Sequence, residues 1–228
     1  MIVFLAGMPR SGSTFSFNVV RELLARRGTI YQEPISSAVS AVERSGSASH
    51  VLFKAHNTDD VTLRLIELGA VKVVCTVRRP EDAIASWMEA FGFQLDESIG
   101  AMQEWRRMFA RLRDHALVVR YEQIDRQPWR AALRIARHVC PDASVMEVLR
   151  VARMYSKEKV KSATDELAKD GDNIVELSFS YYDRVTFLHR RHVATLVSRS
   201  AADRIGNEAV SSIRQTFQTY IDEDGNLV

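Results

Sequence analysis

The sequence predicts an α/β fold with a central, mainly parallel sheet flanked by helices and a mostly helical C-terminal half. Short apolar runs rich in β-branched residues alternate with segments of helical periodicity. The run 71–77 is nearly continuous in apolar residues, as expected for an interior parallel strand covered on both faces. The 228 residues, 46% hydrophobic and 26% charged, are most simply one globular domain, 1–228.

Strands and helices are expected to alternate over the first 120 residues. The five strands are predicted near 2–6, 29–31, 51–53, 71–77 and 117–119. The helices between them are predicted near 14–26, 35–44, 58–69, 80–91 and 95–113. Local residues support the helix ends: Gly28 follows two arginines, Thr58 is a candidate N-cap, and Pro80 suits a first helical position.

The second half of the chain has mainly helical periodicity. Helices are predicted near 125–139, 144–155, 157–169 and 207–221, whereas 174–200 gives no clear pattern. Lys157, Lys159 and Lys161 are expected to be solvated.

A glycine-bounded loop, Gly7 to Gly12, joins the first strand to the first helix. The N–H groups at the start of a helix have no partner within it, and the helix dipole favours an anion there. A Walker A loop would have lysine at the position of Ser13, and here Arg10 lies inside the loop instead. The stretch therefore predicts a P-loop-type domain whose usual lysine is missing.

Polar clusters follow four predicted strands, at 8–14, 54–57, 78–82 and 120–122. Ligands of parallel α/β folds bind at the carboxyl ends of the strands, so these clusters are expected to meet. Lys54 and His56 alternate along an extended chain and would point the same way.

Two candidates for a general base follow from this placement. His56 suits proton transfer near neutral pH, with Lys54 stabilising negative charge. Glu33, just after a predicted strand, is a rival base, and a purely structural His56 remains an alternative.

Arg78 and Ser86 can hold one anion between a strand end and a helix. Surface pairing of the arginine and simple packing of the serine remain the alternative.

Four segments together resemble the sulfotransferase family. Residues 9–15, Pro-Arg-Ser-Gly-Ser-Thr-Phe, resemble its 5′-phosphosulfate loop. Residues 77–82 with Ser86 resemble its 3′-phosphate motif and keep the eight-residue spacing from arginine to serine. Phe53-Lys54-Ala55-His56 is similar to the element with the catalytic base, and Val119-Arg120-Tyr121-Glu122 to a Tyr-Glu-Asp element near the adenine. The segments occur in family order and cover about residues 1–125.

The resemblance implies transfer of a sulfuryl group from 3′-phosphoadenosine 5′-phosphosulfate to a hydroxyl or amine acceptor, without a metal. It implies that Arg10 stabilises the bridging oxygen and that His56 takes the acceptor's proton with help from Lys54. In the tyrosylprotein branch the base is a glutamate near the place of Glu33. The implied donor-binding residues are Arg10, Ser11, Gly12, Ser13, Thr14, Phe15, Arg78, Ser86 and Tyr121.

The sequence departs from the family pattern near its C-terminus. A second 3′-phosphate element, Arg-Lys-Gly, is not visible, and 187–192 is a candidate to replace it or to form part of the acceptor site. An atypical P-loop kinase or nucleotide hydrolase and a non-catalytic nucleotide-binding protein remain alternatives.

The composition of the chain limits the kinds of partner that it is expected to bind. A net charge of +2 does not suggest bulk binding of nucleic acid, and no run approaches the roughly 20 apolar residues of a membrane span. Cys75 and Cys140 are expected to be free thiols in a cytoplasmic, reducing setting, and they form no metal framework. The acceptor's pocket is expected to come from residues 33–50, 87–105 and 150–192. The acceptor itself and the oligomeric state cannot be predicted from the sequence.

Overall fold

A five-stranded sheet forms the centre of the protein. The structure, a computed structural model, describes residues 1–177, 180–190, 192–193 and 199–220. The strands are β1 (Ile2–Leu5), β2 (Ile30–Glu33), β3 (His50–Lys54), β4 (Lys72–Val77) and β5 (Ala116–Arg120). They are all parallel and lie in the order β2-β3-β1-β4-β5. The predicted α/β fold with a parallel sheet is confirmed, whereas the single domain 1–228 stays a prediction.

Helices flank this sheet and make up most of the C-terminal half. Those that follow strands β1 to β4 are α1 (Ser13–Ala25), α2 (Ala38–Arg44), α3 (Asp60–Glu67), α4 (Pro80–Phe91) and α5 (Leu95–Leu112). After β5 come α6 (Tyr121–Arg126), α7 (Pro128–Val139), α8 (Val145–Met154), α9 (Lys157–Asp165), α10 (Ala201–Ile205) and α11 (Asn207–Phe217). Short 3-10 helices span Arg113–His115 and Gln218–Tyr220, and β6 (Ile174–Glu176) pairs antiparallel with β7 (Tyr181–Asp183). No helix in the described ranges is long and apolar enough to span a bilayer.

Both faces of the sheet are covered, which explains the continuous apolar runs of its strands. On one face Phe4 of β1 stacks on Phe53 of β3, and both belong to a core that includes Trp105 of α5. On the other face, Val3 and Leu5 of β1 pack with α1, α7 and α8. Alternate residues of one strand therefore supply both cores.

Some predicted element boundaries are wrong. Asp59, and not Thr58, is the N-cap of α3, because its carboxylate accepts from the N–H of Thr62 at 2.6 Å. The hydroxyl of Thr58 instead donates to the carbonyl of Ser36. Helix α6 begins directly after β5, four residues before the predicted start, and Pro128 begins a separate helix.

The segment without a clear sequence pattern contains the β6–β7 pair. Helix α10 follows it and was not predicted. Ala201 of α10 and Val210 of α11 form a small core with Ala85 of α4. Arg214 of α11 donates to Glu81 of α4 at 2.9 Å. These contacts hold the C-terminal helices against the helix that follows β4.

Candidate active site

A cavity of about 650 Å³ lies at the carboxyl edge of the sheet. The loop after β1, the ends of β3 and β4, the C-terminal half of α4 and helix α6 contribute to its wall. Its volume is in the usual range for a small-molecule site. The structure brings these sequence-predicted residues together on the wall: Arg10, Gly12, Ser13, Thr14, Phe15, Lys54, His56, Arg78, Ser86 and Tyr121.

Close packing at Gly7 fixes the path of the loop. A Cβ there would lie 2.3 Å from Cβ of Ser13 and 2.3 Å from Oγ1 of Thr76, closer than any side chain can approach. Gly12, the N-cap of α1, has φ of +85°, a conformation that glycine adopts without strain. The two glycines therefore let the loop turn tightly over the end of β4 and enter α1.

The N-terminus of α1 is the part of the cavity wall that is best suited to an anion. Ser13, Thr14 and Phe15 form its first turn, in which no acidic side chain occurs. The N–H groups of a first turn lack acceptors within the helix and carry the positive end of its dipole. Because Ser13 and Thr14 are largely buried and line the cavity, an anion bound there would be shielded from water.

Ser11 is not part of the cavity wall that the structure describes. Its hydroxyl is fully buried beneath the loop, 2.6 Å from the carbonyl of Met8 and 2.5 Å from Oγ1 of Thr76. Its N–H also lies 3.3 Å from the carbonyl of Met8. The structure thus gives Ser11 a supporting position, where the sequence suggested a direct contact with the donor.

Arg10 connects the loop with two other parts of the site. Its Nε donates to Oγ of Ser86 at 3.2 Å, and its Nη2 donates to the carbonyl of His192 at 3.2 Å. Its guanidinium also lies 5.5 Å from the ring centroid of Phe91. Burial, followed by repulsion from Arg78, lowers the pKa of Arg10 to about 10, so that the side chain remains a cation at neutral pH.

Arg78 is largely buried at the end of β4, and its side chain contacts the loop that follows β1. Its Nη1 donates to the carbonyl of Arg10 at 3.0 Å, and its guanidinium lies 3.9 Å from the ring centroid of Tyr121. Its Nε is buried without a hydrogen-bond partner in the part of the chain that the structure describes. A buried guanidinium N–H without an acceptor is costly, and this donor favours an anionic ligand nearby.

His56 follows β3 and is anchored to the start of the loop. Its Nδ1 lies 2.7 Å from the carbonyl oxygen of Gly7. A carbonyl only accepts, so Nδ1 carries the proton and the neutral ring has its lone pair on Nε2. Desolvation by the surrounding protein, followed by the positive charge of Lys54, lowers the pKa of His56 to about 3. The ring is nevertheless exposed to the cavity, and it is neutral at physiological pH.

Lys54 lies at the end of β3 and is half-buried on the cavity wall. Burial, with a smaller contribution from Arg10, lowers the pKa of Lys54 to about 8. At pH 7 it therefore remains mostly a cation beside a neutral imidazole.

Glu33, the alternative base, is engaged elsewhere. Its Oε1 accepts from Arg44 at 2.8 Å, and its Oε2 accepts from the hydroxyl of Tyr31. Glu33 is not among the described residues that line the cavity. The geometry therefore favours His56 over Glu33 as the group that can reach a bound ligand.

The structure adds cavity residues that the motifs did not identify. Trp87 and Phe91 are one turn apart on α4, a spacing from which a shared face could have been predicted. Arg204 of α10 also reaches the wall, because α10 packs on α4. Lys157, expected to be solvated, lines the cavity and pairs with Asp125 at 3.0 Å.

The three segments expected to form an acceptor pocket contribute unequally to the wall of the cavity. The second and third expected segments supply lining residues: Trp87, Glu89, Ala90, Phe91, Phe93, Tyr155, Ser156, Lys157, Glu158, Val160, Leu188, His189 and His192. Val193, just after the third segment, lines the cavity too, whereas Arg191 lies outside the described residues. None of the described wall comes from 33–50.

The wall of the cavity is predominantly cationic. Among the described residues, six arginine or lysine residues line it against three acidic residues, which are Glu89, Asp125 and Glu158. The basic residues are Arg10, Lys54, Arg78, Arg126, Lys157 and Arg204. Over the described ranges, no group of three or more His, Cys, Asp or Glu is arranged to hold a metal ion.

Comparison with known proteins gives a structural match without a sequence match. No family model and no curated protein matches the sequence. The structure is similar to that of mouse sulfotransferase SULT7A1 complexed with PAP, with a TM-score of 0.66 and 15% identity, over 96% of this chain and 83% of that chain. Two structures of retinol dehydratase also match.

One retinol dehydratase complex contains androsterone and inactive cofactor PAP, with a TM-score of 0.61 and 14% identity, over 95% of this chain and 79% of that chain. The other contains retinol and PAP, with a TM-score of 0.59 and 15% identity, over 95% of this chain and 80% of that chain. The chain has the sulfotransferase fold.

Proposed function

We propose that this chain, which has the sulfotransferase fold, transfers a sulfuryl group from 3′-phosphoadenosine 5′-phosphosulfate to a hydroxyl or amine acceptor. The observation that carries the proposal is the position of His56. Its imidazole is hydrogen-bonded to the carbonyl of Gly7, at the start of the loop that leads into the anion-binding turn of α1. A neutral base and an anion-binding helix terminus are thereby held next to each other, as transfer from an anionic donor to a protonated acceptor requires.

The residues of the cavity fit such a donor. The first-turn N–H groups of α1, from Ser13 to Phe15, would hold the 5′-phosphate. Arg78 and Ser86 would hold the 3′-phosphate, in keeping with the unpartnered Nε of Arg78. Phe15 and Tyr121 would flank the adenine. The excess of basic residues over acidic ones also suits a ligand with several negative charges.

Residues of the cavity are available both for the proton that the acceptor loses and for the charge that develops on the leaving phosphate. In the transfer, the bond between sulfur and the bridging phosphate oxygen of the donor breaks. A bond between sulfur and the oxygen or nitrogen of the acceptor forms. Because Nδ1 of His56 donates to Gly7, Nε2 is the atom that can accept the acceptor's proton. Arg10 and Lys54 are cations on the same wall, and would stabilise the negative charge that develops on the leaving phosphate.

Binding by calorimetry tests the donor part of the proposal. We expect adenosine 3′,5′-bisphosphate (PAP) to bind without added metal, and more tightly than ATP with Mg²⁺. AMP serves as a control, because it lacks the 3′-phosphate that Arg78 and Ser86 would hold. A preference for ATP with Mg²⁺ would contradict the proposal and favour a kinase or nucleotide hydrolase.

Transfer from a labelled donor to a panel of hydroxyl and amine acceptors tests the reaction. With an acceptor that works, His56→Ala should lower kcat by about 10²–10⁴-fold and leave PAP affinity nearly unchanged. Glu33→Ala is the matched control, since Glu33 contacts Arg44 and Tyr31. If Glu33→Ala abolishes transfer and His56→Ala does not, the assignment of the base is wrong.

A further inference from the structure

Helices α7 and α8 pack against each other and against α1, and their outer surface is basic. The two helices carry five arginines, all of them exposed to solvent: Arg130, Arg134, Arg137, Arg150 and Arg153. The surface that these five arginines form is called the basic face. Because the net charge of the whole chain is only +2, positive charge is concentrated there.

Helical spacing places the arginines of the basic face on the solvent side. Arg130, Arg134 and Arg137 are at positions i, i+4 and i+7 of α7, and Arg150 and Arg153 are at i and i+3 of α8. The buried residues of the two helices are Ala131, Ala132, Ile135, Ala136, Val139, Val148, Val151 and Ala152. The arginines therefore form two stripes that point away from the core on which the helices pack.

The acidic residues nearest in sequence do not neutralise the basic face. Asp142 accepts from Nε of Arg27 at 2.8 Å, and Glu147 accepts from Nη1 of the same arginine at 2.8 Å. Arg134 donates to neutral acceptors, among them Oε1 of Gln123 at 2.6 Å. Within the described part of the chain, none of the five arginines forms an ion pair with a carboxylate. Their charge is therefore available to an external anion.

Apolar side chains are exposed on the same two helices. Met146 has 71% of its surface exposed. Five of the eleven large hydrophobic residues that are exposed in the described chain belong to α7 and α8: Trp129, Val145, Met146, Leu149 and Met154. The guanidinium of Arg130 lies 5.0 Å from the ring centroid of Trp129. Exposed apolar surface of this extent, mixed with positive charge, is typical of an interaction site.

Arginine and apolar side chains are interleaved on α8. Met146 is one turn before Arg150, and Leu149 is one turn before Arg153. The surface of an anionic bilayer matches both kinds of side chain, because arginines bind lipid phosphates while apolar side chains enter the boundary of the acyl chains. Nucleic acid offers phosphates without acyl chains, so it would leave Met146 and Leu149 in water.

We propose that the basic face binds the surface of a bilayer that contains anionic lipids. Each arginine near such a surface is attracted by its negative potential, and the exposed apolar side chains add to the binding. The basic face borders the cavity, since Arg126 and Pro128 at the start of α7 and Tyr155 directly after α8 line the cavity wall. Protein bound in this way holds the cavity close to the lipid headgroups. The inference does not depend on the proposed sulfuryl transfer.

Sedimentation of the full chain with vesicles tests the lipid requirement. We expect the protein to bind vesicles in which about one third of the lipid is phosphatidylglycerol, and to bind pure phosphatidylcholine vesicles roughly tenfold more weakly or less. Binding to the anionic vesicles should weaken as the salt concentration rises, because salt screens surface charges. Equal binding to the two kinds of vesicle, or binding to neither, would overturn the inference.

A double substitution tests the arginines. Arg150→Gln with Arg153→Gln should weaken binding to the anionic vesicles by about tenfold or more. The matched control is Arg107→Gln with Arg113→Gln, which removes the same charge from exposed positions on and just after α5, over the opposite face of the sheet. Equal losses in the two double variants would mean that net charge, and not the basic face, governs binding, and this would overturn the inference.

Met146→Gln tests the apolar contact and separates a bilayer from nucleic acid. We expect it to weaken binding to the anionic vesicles by about threefold or more. Leu68→Gln is the control, because Leu68 has a similar exposure of 66% at the end of α3. An RNA duplex is the second probe. If RNA binds more tightly than the anionic vesicles and Met146→Gln has no effect on vesicle binding, the basic face is a nucleic-acid site and the inference is wrong.

Melting temperature and PAP affinity show whether each variant keeps its fold and its cavity. Loss of vesicle binding at an unchanged melting temperature supports the inference. Full vesicle binding by a folded Arg150→Gln and Arg153→Gln variant would overturn it. If that variant does not fold, Arg137→Gln on α7 replaces it, and the lipid and salt dependence of the wild type still decides the question.

Discussion

Nδ1 of His56 lies 2.7 Å from the carbonyl oxygen of Gly7, and this contact joins the candidate base to the loop 7–12 that leads into α1. The two residues are 49 positions apart in sequence and follow neighbouring parallel strands. The contact fixes both the orientation of the imidazole and its tautomer. Movement of the loop would therefore move the base.

The first prediction concerns the protonation of His56. Because the surrounding protein and Lys54 lower its pKa to about 3, we expect no titration of His56 between pH 5 and 8 in the free protein. NMR of the imidazole, assigned by comparison with His56→Asn, measures this pKa and should show the proton on Nδ1. The unfolded chain in denaturant is the reference, with titration near the ordinary value of about 6.5. Titration of folded His56 near 6.5 would contradict the prediction.

Stability should depend on pH through the same residue. Below pH 6.5 the unfolded chain binds a proton at His56 that the folded protein excludes, so stability falls as pH decreases from 6.5 toward 3. Burial also lowers the pKa of His189 and His192, which act in the same direction. Urea unfolding of wild type and His56→Asn at pH 7 and pH 5 isolates His56. The wild type should lose more stability than the variant, and equal losses would contradict the assignment.

Lys54 should make anion binding sensitive to alkaline pH. Burial and Arg10 lower its pKa to about 8, so the free protein loses this charge as pH rises through 8. A bound anion raises the pKa of a neighbouring lysine, and PAP affinity should therefore fall between pH 7 and pH 9. Arg10, with a pKa of about 10, remains a cation over this range. Calorimetry on Lys54→Met should show a weaker pH dependence, whereas an unchanged slope would exclude Lys54 as its source.

Gly7→Ala should damage the loop. The added Cβ would lie 2.3 Å from Cβ of Ser13 and from Oγ1 of Thr76, both part of a buried, tightly packed region. We expect a destabilisation of about 1–3 kcal/mol or more and a loss of PAP affinity, measured by urea unfolding and calorimetry. Gly100→Ala in α5 is the matched control, because a Cβ there meets nothing within 4 Å. It should stabilise the protein by about 0.5–1 kcal/mol.

Arg78→Met should remove discrimination for the 3′-phosphate. Its guanidinium is largely buried and has an unpartnered Nε, so loss of a charged hydrogen bond should weaken PAP binding by about 1.5–3 kcal/mol. AMP affinity should change much less, because AMP has no 3′-phosphate. Arg79→Met is the matched control, since the neighbouring Arg79 is exposed and does not line the described cavity. Equal losses for PAP and AMP would show that Arg78 acts mainly through its contact with the loop.

Much of the fold could be predicted from the sequence, because local patterns specify it. The run 71–77 is interior strand β4, and Pro80 begins α4 as expected. The β6–β7 pair was not predicted, because three-residue strands carry too little periodicity to be recognised. Its pairing is a tertiary property.

Sequence patterns were sufficient to predict the glycine-bounded loop, the parallel sheet and the meeting of Arg10, Lys54, His56 and Arg78 at one edge. Order along the chain was sufficient for this, because parallel strands end at a common edge. The direction in which each side chain points was set by packing in the folded protein. This packing turned Ser11 beneath the loop, engaged Glu33 with Arg44, and brought His189 against Phe91. These outcomes depend on packing between segments distant in sequence, which no local pattern encodes.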